Sequence, residues 1–136
     1  MRCPYPMIRV AAYLWAAPNT GMGLTIGLLL GGRFRRVAGV IEVEGPRIGR
    51  VLSKLWVPAA ALTLGHCVLG SSQRALERTR RHERVHVRQY ERWGPAFIPT
   101  YLMISIWLYA RGRDGYRENP FEREAYESEI SDGQPD

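Results

Sequence analysis

The chain has 136 residues and 46% hydrophobic content, which suits one compact domain (1–136) and excludes a wholly disordered protein. Its net charge is +6, almost all arginine, with Lys54 the only lysine; such a surface suits phosphates, carboxylates and anionic lipid heads. The two cysteines, Cys3 and Cys67, exclude a disulfide framework and a zinc ribbon, so a reducing, cytoplasmic compartment is expected.

A short helix is predicted over residues 7–16, ended by Pro18-Asn19. Residues 22–31 are apolar and glycine-rich, and periodicity alone does not assign them. Neither this stretch nor Phe97–Ala110 reaches the roughly 18 consecutive apolar residues of a membrane span. Both read as core or as membrane-leaning surface. Arg2 and Arg9 before Ala16-Ala17 resemble a signal peptide weakly, and Pro18 argues against cleavage there.

Arg33–Glu44 is rich in β-branched residues around Ala38-Gly39, which predicts a hairpin. Residues 48–56 are ambiguous. Ala60–Leu69 reads as one strand, with Gly65 marking a bulge or a close backbone approach and Cys67 as a small core residue. Ser71 or Ser72 caps a helix over 72–93, which Gly94-Pro95 ends. Further helices are predicted over 96–110 and from Pro120 to about Ile130. Phe97, Trp93, Trp107 and Tyr109 are expected in the core, and 131–136 as a frayed tail. The fold class is therefore α+β: a small antiparallel sheet, an active-site helix and C-terminal helices, with the core at about 33–130.

The chemistry lies in His82-Glu83-Arg84-Val85-His86. Residues four apart on a helix share a face, so both imidazoles can point at one tetrahedral metal such as zinc. Glu83 is offset from that pair and can reach water instead of the metal. Zinc lowers the pKa of water, and the carboxylate takes its proton. A third ligand is needed. The only other histidine is His66, and the last helix offers Glu118, Glu122 and Glu124. Gln89 and Tyr90, one turn beyond His86, are packing residues or cleft lining. His66, Tyr101 and Tyr116 are candidates for stabilising an oxyanion.

The pairing of His82–His86 with Glu122-Arg123-Glu124-Ala125 resembles the gluzincin metallopeptidases. In these an HExxH helix is followed by a helix carrying Glu-x-x-Ala-Asp. His86-Val87-Arg88-Gln89 with Trp93-Gly94-Pro95 is also similar to small bacterial proteins bearing HE-x-x-H-x-x-Q and a later E-x-x-A. The resemblance is one of motifs and covers residues 61–127. It implies a minimal zincin-like domain with His82, His86 and Glu122 as zinc ligands and Glu83 as the base. Tyr126 stands where the family has an aspartate that orients a ligand histidine; its hydroxyl can take that part.

The expected activity is zinc-dependent hydrolysis of a peptide or protein substrate. One alternative is a non-catalytic zinc protein, with His66 or Glu118 as a fourth ligand. The other is a membrane-surface module using the apolar stretches and the arginines against anionic lipid. Arg74, Arg78, Arg81, Arg84, Arg88 and Arg92 form a polar stripe on the active-site helix, with Glu77 and Glu91 as helical partners. No aromatic platform interleaves with them, which argues against nucleic acid.

Overall fold

The computed structural model describes residues 6–55 and 57–133. Cys3, Arg2 and residues 134–136 of the expected tail lie outside the described residues. The chain is α+β. Its order is α1 (Pro6–Leu29), β1 (Arg33–Val37), β2 (Val40–Glu44), α2 (Pro46–Ser53), β3 (Ala61–Leu64), β4 (Cys67–Gly70), α3 (Gln73–Trp93), a 3-10 turn at Gly94–Ala96, α4 (Phe97–Ala110) and α5 (Pro120–Gly133).

The sheet runs β1-β2-β4-β3. It is mixed and not antiparallel throughout, because β2 and β4 pair in parallel, with α2 and β3 between them in the chain. Ala38 and Gly39 both have positive φ, as the tight turn of the β1–β2 hairpin requires. The predicted strand 60–69 is instead two strands. Gly65, at φ +64°, opens a two-residue turn that pairs Leu64 with Cys67. Gly65 is also a close approach, since a Cβ there would lie 2.3 Å from Thr20 Oγ1.

Alternation along the strands sorts the core into two faces. Val43, Leu64, Cys67 and Leu69 pack with Ile48 and Leu52 of α2 and with Leu24 and Ile26 of α1. Val40, Ala61 and Val68 pack with Leu76 and Val87 of α3. Burial pushes the Cys67 thiol up to about 12, in keeping with an inert core residue.

Helix α1 does not stop at Pro18; it continues to Leu29. Proline removes one hydrogen bond there, but tertiary contacts hold the following turn. Asn19 Nδ2 donates to Gly94 O at 3.1 Å, and His66 N donates to Thr20 Oγ1 at 2.9 Å. Gly23 and Gly27 explain the glycine-rich segment: a Cβ would meet Cys67 at 3.0 Å or Val43 at 2.9 Å, so their absence seats the helix against the sheet. Among the described residues no helix is long and apolar enough to cross a membrane.

Helix α3 starts as predicted, with Ser72 Oγ accepting from Ala75 N, and ends at Gly94, φ +54°. Phe97 is buried, whereas Trp93, Trp107 and Tyr109 are exposed and do not join the core. The arginine stripe is not uniformly solvated. Glu42 on β2 is 3% exposed and accepts from Arg80 at 2.8 and 3.0 Å and from Arg84 at 3.2 Å. Arg92 meets Glu124 instead of a neighbour on its own helix, and Glu91 faces His66. Removing one partner of a buried pair leaves the other charge uncompensated. Glu42→Ala is therefore expected to cost about 3 kcal/mol, read as a lowered midpoint in urea unfolding. A midpoint equal to wild type refutes this role.

Candidate metal centre

Two helices converge on one point. His82 and His86 lie one turn apart on α3, both buried. Glu122 comes from the first turn of α5, where the helix dipole favours a carboxylate. Asn119 places that turn. It is fully buried, its Oδ1 accepts from Phe121 N, and its Nδ2 donates to Tyr101 O at 3.1 Å and Ser105 Oγ at 2.9 Å. This clamp ties the start of α5 to α4.

Glu122 Oε2 lies 3.0 Å from His82 Nε2 and 3.3 Å from His86 Nε2, and the two Nε2 atoms are 3.3 Å apart. These three side chains form a group that could hold a metal ion. Glu122 Oε1 accepts from the Tyr101 hydroxyl at 2.8 Å. Burial alone would raise the Glu122 carboxyl, but the hydrogen bonds from both histidines and Tyr101 outweigh it and hold the group at about 2. In turn burial lowers His86, and Glu122 more than reverses this, so the ring rises to about 9. His82 is raised by the same balance.

The far side of each imidazole is also held. His86 Nδ1 lies 2.8 Å from Gln89 Oε1, and Gln89 Nε2 donates to Phe121 O at 3.0 Å. The amide is thus oriented with its oxygen toward the ring. His82 Nδ1 lies 3.4 Å from Glu129 Oε2. Tyr126 does not supply this contact. Its ring packs edge-on against His82 at 4.6 Å, and its hydroxyl pairs with Tyr116 at 3.0 Å.

Glu83 is buried on the same helix. The Thr63 hydroxyl of β3 donates to Glu83 Oε2 at 2.6 Å. Burial raises the Glu83 carboxyl, opposed by the two histidines and by Thr63. Tyr90, beside it in sequence space by two turns, donates to Thr63 O at 3.0 Å and so fixes the strand.

The structure brings His82, Glu83, His86, Glu122 and Tyr101 together, with Tyr126 against His82 and Tyr116 one contact further out. It places His66 elsewhere, stacked on Tyr13 with ring centroids 3.9 Å apart and its Nε2 3.8 Å from Glu91. Glu118 pairs with Arg113 at 2.9 Å and Glu124 with Arg92 at 2.8 Å, both at the surface. Sequence reasoning missed Thr63 and Glu129 and left Gln89 open. Glu129 was findable, since it lies two turns beyond Glu122 on the same helix face. Thr63 was not, because only the fold sets β3 beside α3. Comparison with family models, with curated proteins and with solved structures returns no match.

Proposed function

We propose that this chain is a zinc-dependent hydrolase that cleaves peptide bonds, with His82, His86 and Glu122 as the residues that hold the metal and Glu83 as general base. The single observation that carries the reading is the buried Glu83 carboxylate beside three converging donors on α3 and α5. The donor set itself suits zinc. A tetrahedral ion with bonds of about 2.0–2.1 Å has ligand edges of about 3.3 Å, and the separations here are 3.0, 3.3 and 3.3 Å.

Bound zinc supplies Lewis-acid polarisation and water of near-neutral pKa. Glu83 takes the proton of the attacking water and passes it to the leaving nitrogen. Gln89 keeps its oxygen on His86 Nδ1, which leaves Nε2 facing the centre. Glu129 does the same for His82, and Tyr101 anchors the Glu122 oxygen that does not face the histidines.

The non-catalytic alternative needed a fourth protein ligand from His66 or Glu118. His66 stacks on Tyr13 and Glu118 pairs with Arg113, both away from the three donors, which supports an open position. The same proposal takes peptides or proteins as substrates and the cytoplasm as the location, in keeping with the free, buried Cys67.

Elemental analysis after zinc loading and exhaustive dialysis tests the reading, followed by mass spectrometry of a broad peptide library. One zinc per chain is expected, with cleavage that a chelator stops and zinc restores. Protein that remains free of zinc, or that holds zinc with no cleavage of any peptide, refutes it.

A further inference from the structure

A cleft of about 660 Å³ lies between α1, the β1–β2 hairpin and the β3–β4 turn. It shares no lining residue with the His82–His86–Glu122 group, and its ligand is independent of the hydrolase reading. The volume falls within the roughly 300–1,000 Å³ of small-molecule sites. Val10, Leu14 and Ile41 give it an apolar wall, and Arg9 and Arg36 line it as well. Among the described residues neither guanidinium has a carboxylate partner, whereas Arg80, Arg84, Arg92 and Arg113 each meet one.

The floor holds a third polar group. His66 is 5% exposed, and its Nδ1 is buried with no hydrogen-bond partner. Its Nε2, at 3.8 Å from Glu91, is beyond hydrogen-bond reach. An unsatisfied buried nitrogen is costly, and structures keep such groups at sites where something else supplies the partner. Tyr13 stacks over this ring, and its hydroxyl donates to Gly39 O at 2.7 Å, so it fastens α1 across the cleft. Reaching the imidazole from the cleft requires Tyr13, 39% exposed, to give up this stack.

Two cations, one orphan ring nitrogen and an apolar wall are the complement of one molecular type. We infer that this cleft binds a single-chain anionic amphiphile. A carboxylate or phosphate head is held by Arg9 and Arg36 with an oxygen toward His66 Nδ1, and an acyl chain lies along Val10, Leu14 and Ile41. Arginine suits either head group, because its fork matches both.

Calorimetric titration of the full chain with decanoate below its aggregation limit tests this, with decanol as the neutral match in chain length. Saturable binding of one decanoate per chain is expected, at least about tenfold tighter than decanol, since charge-assisted contacts separate the two. The Arg9→Gln/Arg36→Gln double variant, at exposed positions, should keep the wild-type unfolding midpoint and lose at least about tenfold in decanoate affinity. Flotation with phosphatidylglycerol against phosphatidylcholine vesicles identifies the source. Arginine-dependent binding to anionic vesicles without binding of monomeric decanoate overturns the single-chain ligand in favour of a bilayer surface; binding of the monomer supports a free amphiphile. Equal affinity for decanoate and decanol, or a double variant that matches wild type in both arms, overturns the inference.

Discussion

Glu122→Ala is expected to lower zinc affinity by at least about a hundredfold, while Glu118→Ala and Glu124→Ala leave it unchanged. Residues that merely support a ligand cost about 10–100-fold when removed, so a ligand itself sets the upper end as its floor. All three glutamates sit within seven residues of chain, yet their surroundings differ. Glu122 is 5% exposed and uses both oxygens, one toward the two histidines and one toward Tyr101. Glu118 and Glu124 spend theirs on surface arginines, where ion pairs are worth little. Zinc titration by calorimetry separates the variants. Glu122→Gln adds a control for packing, because it keeps the side-chain volume and the Tyr101 contact while removing the charge. Equal losses at all three positions, or the largest at Glu118, would reassign the ligand.

What the sequence made legible follows from local rules. The Ser72 cap, the Gly94 stop and the four-residue histidine spacing are properties of one helix, and the structure keeps all of them. The positive φ at Ala38 and Gly39 was likewise a local requirement of a short hairpin. The departures are tertiary. Pro18 breaks no helix because Asn19 and Thr20 find partners across the fold in Gly94 and His66. Strand β4 pairs in parallel with β2 because α2 leads from the end of β2 to the start of β3, whose return and turn set β4 beside β2, and no residue in either strand encodes that direction. At the site, the resemblance put an orienting group at 126. The protein instead turns the Tyr126 ring to His82 and brings a carboxylate from Glu129, three residues and nearly one turn later. The two positions lie on one side of α5, so the substitution changes the residue that reaches the ring without moving the helix.

Glu83→Gln is expected to leave zinc occupancy and the unfolding midpoint near wild type while peptide cleavage falls by about 10²–10⁴-fold, the usual contribution of a general base. Glu83 is not one of the three converging donors, so its charge is not required to hold the metal. Glutamine retains an oxygen that can accept the Thr63 hydroxyl, now 2.6 Å from the carboxylate, so the contact between α3 and β3 survives. The change also relieves a buried carboxylate whose charged form burial disfavours, so no large loss of stability is expected. What disappears is the acceptor for the proton of water. Measuring zinc content, midpoint and cleavage on the same preparation is decisive, because each alternative leaves a different pattern. Loss of zinc together with activity would make Glu83 part of the metal site and remove its role as base. Undiminished cleavage would trace the activity to a contaminating peptidase and leave His82, His86 and Glu122 as a structural centre.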